Sequence, residues 1–106
     1  MTTKFHKPIA QRLLSYSVYV EQWDEEAGDT HLLLGFREML RDHASELSAK
    51  QLDEMRLVDD RVLALVAANS TAQSWDIAML RKTAELIEQE RAKALQAASD
   101  LHRQAA

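Results

Sequence analysis

The C-terminal third of the chain decides the fold class. Residues 75–106 read WDIAMLRKTAELIEQERAKALQAASDLHRQAA, with neither Gly nor Pro, the two residues that most often interrupt helices. Most of the stretch consists of strong helix formers such as Ala, Leu, Glu, Gln, Arg and Lys. An apolar residue recurs every seven positions, which indicates one seam along a single helix: Leu80, Ile87, Ala94 and Leu101. We therefore predict a helix over residues 72–104.

The remaining sequence predicts three shorter helices, over residues 8–26, 30–46 and 48–68. Gly28 is a natural left-handed residue after the first helix. Ser48 and Gln51 form the pattern of a capping box at the start of the third. Short connections favour antiparallel neighbours, so we expect an all-α, up-down four-helix bundle. We expect one domain over residues 1–106, with residues 1–7 and about 100–106 frayed.

The predicted fourth helix is longer than the other three can cover. At 1.5 Å per residue it reaches about 48 Å, whereas the others reach roughly 25 to 32 Å. About 15 Å or more would project beyond the bundle. Either a second copy or another protein covers this end, or it is a solvated, partly frayed tail.

Several apolar residues lie away from the predicted core faces. On helix 1 these are Leu14 and Val18, and on helix 4 they form a second stripe of Trp75, Met79 and Leu86. Together with Leu101 of the projecting seam, they are our candidate interface residues. We expect a homo-oligomer, and a two-fold dimer is favoured because that is the commonest assembly.

Polar residues on the predicted apolar faces are the candidate binding residues. His43 and Asp59 are each explained either by a structural hydrogen bond or by a functional role. The Tyr16 hydroxyl is placed to satisfy Asp59. Arg91, on the seam of helix 4, either pairs with an acid across a dimer interface or extends to water. With Trp23 added, these residues would line a pocket in a ligand-binding or catalytic bundle.

Composition excludes several kinds of chemistry. The chain has no Cys, so it has no disulfide, thiolate zinc site or Cys nucleophile, and it suits a reducing cytoplasm. We find no phosphate-binding loop or catalytic motif, and the polar stripe of His31, Glu38 and Asp42 lies opposite the core face, so we expect no metal and no cofactor. No apolar run is long enough for a membrane span. The net charge of −4 makes nucleic acid an unlikely partner.

Three hypotheses of function follow. The leading one is a small non-enzymatic interaction module, an adaptor, regulator or accessory protein, that assembles through its long fourth helix and has a possible protein partner. The first alternative is the ligand-binding or catalytic bundle with the pocket described above. The second alternative is a small helical nucleic-acid-associated regulator or antitoxin, whose weakness is the missing basic patch.

Overall fold

The protein is an all-α bundle, as predicted. The computed structural model describes residues 9–25 and 28–105, in which no strand occurs. The helices are α1 (Ile9–Glu21), α2 (Thr30–Asp42), α3 (Ala49–Ala68) and α4 (Trp75–Ala105), with a short 3-10 turn at Ala44–Glu46 before α3. The described helices confirm the predicted fold class and the over-long C-terminal helix. Residues 1–7, predicted to fray, lie outside the described residues, and fraying of 100–106 stays a prediction.

Side-chain hydrogen bonds stabilise the first turn of α3 and the segment that follows its last residue. At its start, Ser48 Oγ accepts a hydrogen bond from Gln51 N at 3.1 Å, and Gln51 Oε1 accepts one from Ser48 N at 2.8 Å. These two bonds are the predicted capping box. At its end, Arg81 of α4 donates from Nη2 to the carbonyls that follow the helix, those of Asn69, Ser70 and Ala72. α3 is therefore fixed at both ends.

Two predicted helix ends were wrong. α1 ends at Glu21, five residues before the predicted end, and the chain leaves the helix just before Trp23, whose indole is bonded to Thr30. α2 ends at Asp42 instead of residue 46, because the chain turns into the 3-10 segment after His43. Gly28 has the left-handed conformation predicted for it, with φ 77°.

The four helices pack in pairs around one core. α1 contacts α2 and α3, and α4 contacts α2 and α3, so the two sequential helices α2 and α3 lie diagonally across the bundle. Each helix contributes fully buried apolar side chains to the centre, among them Leu33, Leu40, Val62, Leu80 and Ile87. No helix in the described part of the chain is long and apolar enough to cross a membrane.

The last part of α4 extends beyond this core. Glu90 and Arg91 are half-buried, and from residue 92 to residue 104 every side chain is exposed except the half-buried Asp100. The helix nevertheless continues to Ala105. We call residues 92–105 the projecting end; at 1.5 Å per residue these 14 residues span about 21 Å.

Candidate functional site

A buried polar cluster at the centre of the bundle takes one side chain from each helix. Tyr16 of α1 donates its hydroxyl to Asp59 Oδ1 of α3 at 2.5 Å. Arg37 of α2 binds the same carboxylate with two hydrogen bonds, Nε to Oδ1 at 2.9 Å and Nη2 to Oδ2 at 3.1 Å. Glu90 of α4 completes the set, with its Oε2 2.7 Å from Arg37 Nη2. The cluster, Tyr16, Arg37, Asp59 and Glu90, therefore connects all four helices.

Arg37 is the centre of this cluster. Its side chain is 1% exposed, although the residue type is almost always at the surface unless paired. The two-pronged geometry with Asp59 is the strongest form of an arginine–carboxylate contact. The contact with Glu90 is a close ion pair rather than an aligned hydrogen bond, and among the described residues Nη1 has no hydrogen-bond partner. Arg37 is thus held mainly by Asp59.

Burial and charge set the protonation states in the cluster. Burial and the neighbouring Asp59 carboxylate raise the pKa of Tyr16, so its hydroxyl keeps its proton and acts as a donor. Burial alone would lower the pKa of Arg37, but Asp59 and Glu90 outweigh it and the net shift is upward. Burial raises the pKa of Glu90, and the Arg37 charge opposes that shift. With both acids ionised, two negative charges face one guanidinium, a net charge of −1.

The cluster is built for packing rather than for chemistry at an open site. Tyr16, Arg37 and Asp59 are each at most 2% exposed, so a substrate cannot reach them without opening the bundle. A neutral tyrosine, a permanently charged arginine and a paired carboxylate also offer no free acid or base. The arrangement fixes the relative positions of four helices, and Glu90 is its only member that reaches the surface.

A second network of hydrogen bonds, away from the central cluster, is centred on Thr30. Trp23 donates its indole N–H to Thr30 Oγ1 at 3.0 Å, and that hydroxyl donates to Asp76 Oδ1 at 2.6 Å. Thr30 opens α2 and Asp76 lies in the first turn of α4. Trp23 is therefore placed away from the central cluster and ties the end of α1 to the starts of α2 and α4.

The five predicted pocket residues do not converge on one site. Tyr16 and Asp59 meet in the bond that the sequence suggested. His43 is exposed and contacts Glu46 at 2.6 Å, which corrects its expected place on the core face; it follows the last residue of α2, so helical periodicity no longer positions it. Arg91 pairs within the chain, with Asp60 Oδ1 at 2.7 Å.

Two members of the central cluster were missed by the sequence interpretation. Arg37 lies four residues after Leu33 and three before Leu40, both buried, so helical spacing alone places it on the core face. Glu90 follows buried Ile87 by three residues on the same basis. The helical spacing therefore indicated a core-facing position for both residues, but charged residues are not expected on a core face.

The predicted interface residues divide into exposed and covered ones. Leu14, Val18, Trp75 and Leu101 are exposed, and Met79 is half-buried. Leu86 is buried within the chain, so its assignment to an interface between chains is corrected. α4 packs against both α2 and α3. Two neighbouring helices cover a wider strip of the α4 surface than the single predicted seam occupies. Trp75 lies beside His31, with ring centroids 5.7 Å apart.

Two surfaces of the described chain carry its most exposed large apolar side chains. One is the projecting end, where Leu95 is 73% and Leu101 67% exposed. The other is a groove between α1 and α3, which we call the α1/α3 groove. It consists of two hollows of about 330 and 450 Å³ that meet at Arg61, and its most exposed apolar residues are Leu14 and Leu57.

Known proteins add no further assignment. Among the described residues, no group of three or more His, Asp or Glu side chains is placed to hold a metal ion. Comparison of the chain with models of protein families, with curated proteins and with solved structures finds no match.

Proposed function

We propose that this protein is a small non-enzymatic interaction module that assembles through the projecting end of α4. The observation that carries the proposal is that α4 continues as a helix over residues 92–105, and no other described helix covers its side chains from 92 to 104. It presents Leu95 and Leu101 to solvent, with Ala98 between them. Such a surface is typical of a helix that packs against another protein.

The free energy of helix formation supports an occupant for this surface. Most of the stability of a helix in a protein comes from tertiary packing of its apolar face. The projecting end continues α4 with backbone hydrogen bonds of its own but without such packing among the described residues. Covering its apolar side adds the missing packing free energy, about 25 cal/mol per Å² of apolar surface removed from water.

The buried cluster supports a non-enzymatic role. Tyr16, Arg37 and Asp59 bond to one another inside the bundle, out of reach of a substrate, and the partly exposed Glu90 is paired with Arg37. We therefore place the function in the exposed surfaces of the molecule and not in the buried cluster. We propose a homodimer as the assembled form, and the cysteine-free composition fits the reducing cytoplasm as its place of action.

Self-association as a function of protein concentration tests the proposal. Size-exclusion chromatography with light scattering should give a dimer for the parent chain and a monomer for Leu95→Glu/Leu101→Glu, since two charges would then be buried in the interface. The matched control is Leu32→Glu on α2, also an exposed leucine, which should leave the dimer intact. A parent that is monomeric at every concentration, or a double variant that dimerises as well as the parent, would contradict the proposal.

A further inference from the structure

The α1/α3 groove is a candidate binding site for one more helix. Small residues line both walls, Ala10 and Ser17 on α1 and Ala64 and Ala68 on α3, so a helix can approach closely. Leu14 and Leu57, each about two-thirds exposed, stand in the hollow nearer the start of α3. The groove is thus apolar where an inserted helix would make its closest contacts.

We infer that the projecting end of α4 from a second copy occupies this groove, and that the two copies exchange their ends reciprocally. This inference rests on the proposed function and specifies which surface receives the end. Length is compatible with it. The groove follows α3 from Gln51 to Ala68, about 26 Å at 1.5 Å per residue, whereas the projecting end spans about 21 Å.

Charge complementarity favours a second copy as the occupant. The projecting end carries Lys93 and Arg103 against the single acid Asp100, a formal charge of +1. The whole chain carries −4, so the rest of the chain carries −5. The groove follows this sign, since its lining contains Glu21 and Glu54 against Arg61, a formal charge of −1. A cationic end on an anionic protein is attracted to another copy of the same protein.

The area available also favours exchange over pairing of two projecting ends. A stable interface removes about 800 Å² from each partner. A helix about 10 Å wide and 21 Å long has an outer surface on the order of 650 Å². Pairing two such ends side by side covers about a third of each, roughly 200 Å² per copy. Reciprocal docking covers about half of each end and a similar area of each groove, roughly 650 Å² per copy, which approaches the standard interface.

Disulfide trapping tests which surface receives the end. The chain has no cysteine, so introduced ones report only their own contacts. Copies carrying Leu57→Cys in the groove are mixed with copies carrying Leu101→Cys or Leu95→Cys in the end, and the mixture is oxidised. Exchange brings residues of the two surfaces to the distance of about 7 Å or less between Cα atoms that a disulfide requires. Mixed disulfides should therefore form with at least one of the two end variants. As the control, Leu32→Cys on α2, mixed with the same end variants, should form no mixed disulfide.

The outcomes separate this inference from the proposed function. Disulfides between two Leu101→Cys copies, without mixed ones to Leu57→Cys, would overturn the exchange and leave assembly through α4 intact. A monomer without any disulfide would overturn both. In a second measurement, Leu57→Glu should weaken self-association by about tenfold or more, as expected for an apolar residue that contributes substantially to an interface. Helical circular dichroism equal to that of the parent verifies the fold, and dimerisation at the parent's strength would overturn the inference.

Discussion

The Arg37 guanidinium makes the fold sensitive to a single carboxylate. Asp59 supplies both of its aligned hydrogen bonds, and the whole contact is removed from water. Asp59→Ala would leave a buried charge with only Glu90 beside it, which costs about 3 to 5 kcal/mol of unfolding free energy. Asp60→Ala is the matched control: the next residue also has an arginine partner, Arg91, but that pair is at the surface and contributes at most about 1 kcal/mol. Urea unfolding compares the two, and equal losses would show that the buried pair has no special weight.

Glu90 gives the cluster a pH dependence of defined sign. Its pKa in the folded protein is raised by burial, so between the unfolded value of 4.5 and the folded value the native state holds a proton that the unfolded chain does not. Stability contributed by this group therefore grows as the pH falls through the folded pKa, and is complete below 4.5.

The Glu90→Gln variant isolates this effect. Its advantage over the parent in unfolding free energy should be largest at neutral pH and should shrink as the pH falls through the folded pKa, because the parent then becomes protonated too. Unfolding curves at several pH values measure the difference, with the exposed Glu88→Gln as control. A difference that grows on acidification would contradict the raised pKa.

At the residue scale, a contact could be predicted where a polar residue occupied a position that the helical spacing assigned to the apolar face. Asp59 on an apolar face required a partner, and Tyr16 was at the same level of the bundle, which is the bond observed. Arg37 and Glu90 could have been found from spacing, but they were not considered as core residues because long charged side chains usually extend to solvent. His43 was placed wrongly because its position depended on a helix end that the pattern did not mark.

Caps decide how well each element could be predicted. The start of α3 was located from sequence because a capping box is a local signal that depends on four consecutive residues. The end of α1 coincides with a contact between elements instead. The Trp23 indole reaches Thr30 from beyond the end of α1, and no local residue pattern encodes that bond.

Removing the Ser48 cap should destabilise α3 measurably. Ser48→Ala eliminates the oxygen that accepts from the Gln51 backbone N–H, which costs about 1 kcal/mol in comparable caps. Ser45→Ala in the neighbouring 3-10 turn is the control, because Ser45 is exposed and has no capping role. Thermal unfolding of the two variants gives the comparison, and an unchanged midpoint for Ser48→Ala would contradict a stabilising role for this cap.

At the scale of the whole molecule, the helices do not pack in the order of the chain, and a buried polar pair spans the diagonal of the bundle. α2 and α3 are consecutive but diagonal, and the Arg37–Asp59 pair joins them through the centre of the bundle. Short connections favoured antiparallel consecutive helices, and the six residues 43–48 are enough to cross a bundle end. Helix number and type were local properties of the sequence, whereas this diagonal is a tertiary property that local patterns do not encode.

The core of the bundle does not include the projecting end. We therefore predict different thermal unfolding for a chain shortened to Arg91 and for the full chain. In the described chain every buried residue precedes residue 92, so a chain ending at Arg91 should fold with a stability within about 1 kcal/mol of the isolated full-length monomer. Its unfolding midpoint should not depend on protein concentration. The full chain should unfold at a higher temperature as its concentration rises, because dimerisation stabilises the native state by mass action. Calorimetry over a hundredfold range of concentration distinguishes the two, and parallel concentration dependence in both chains would place the assembly surface on the bundle and not on α4.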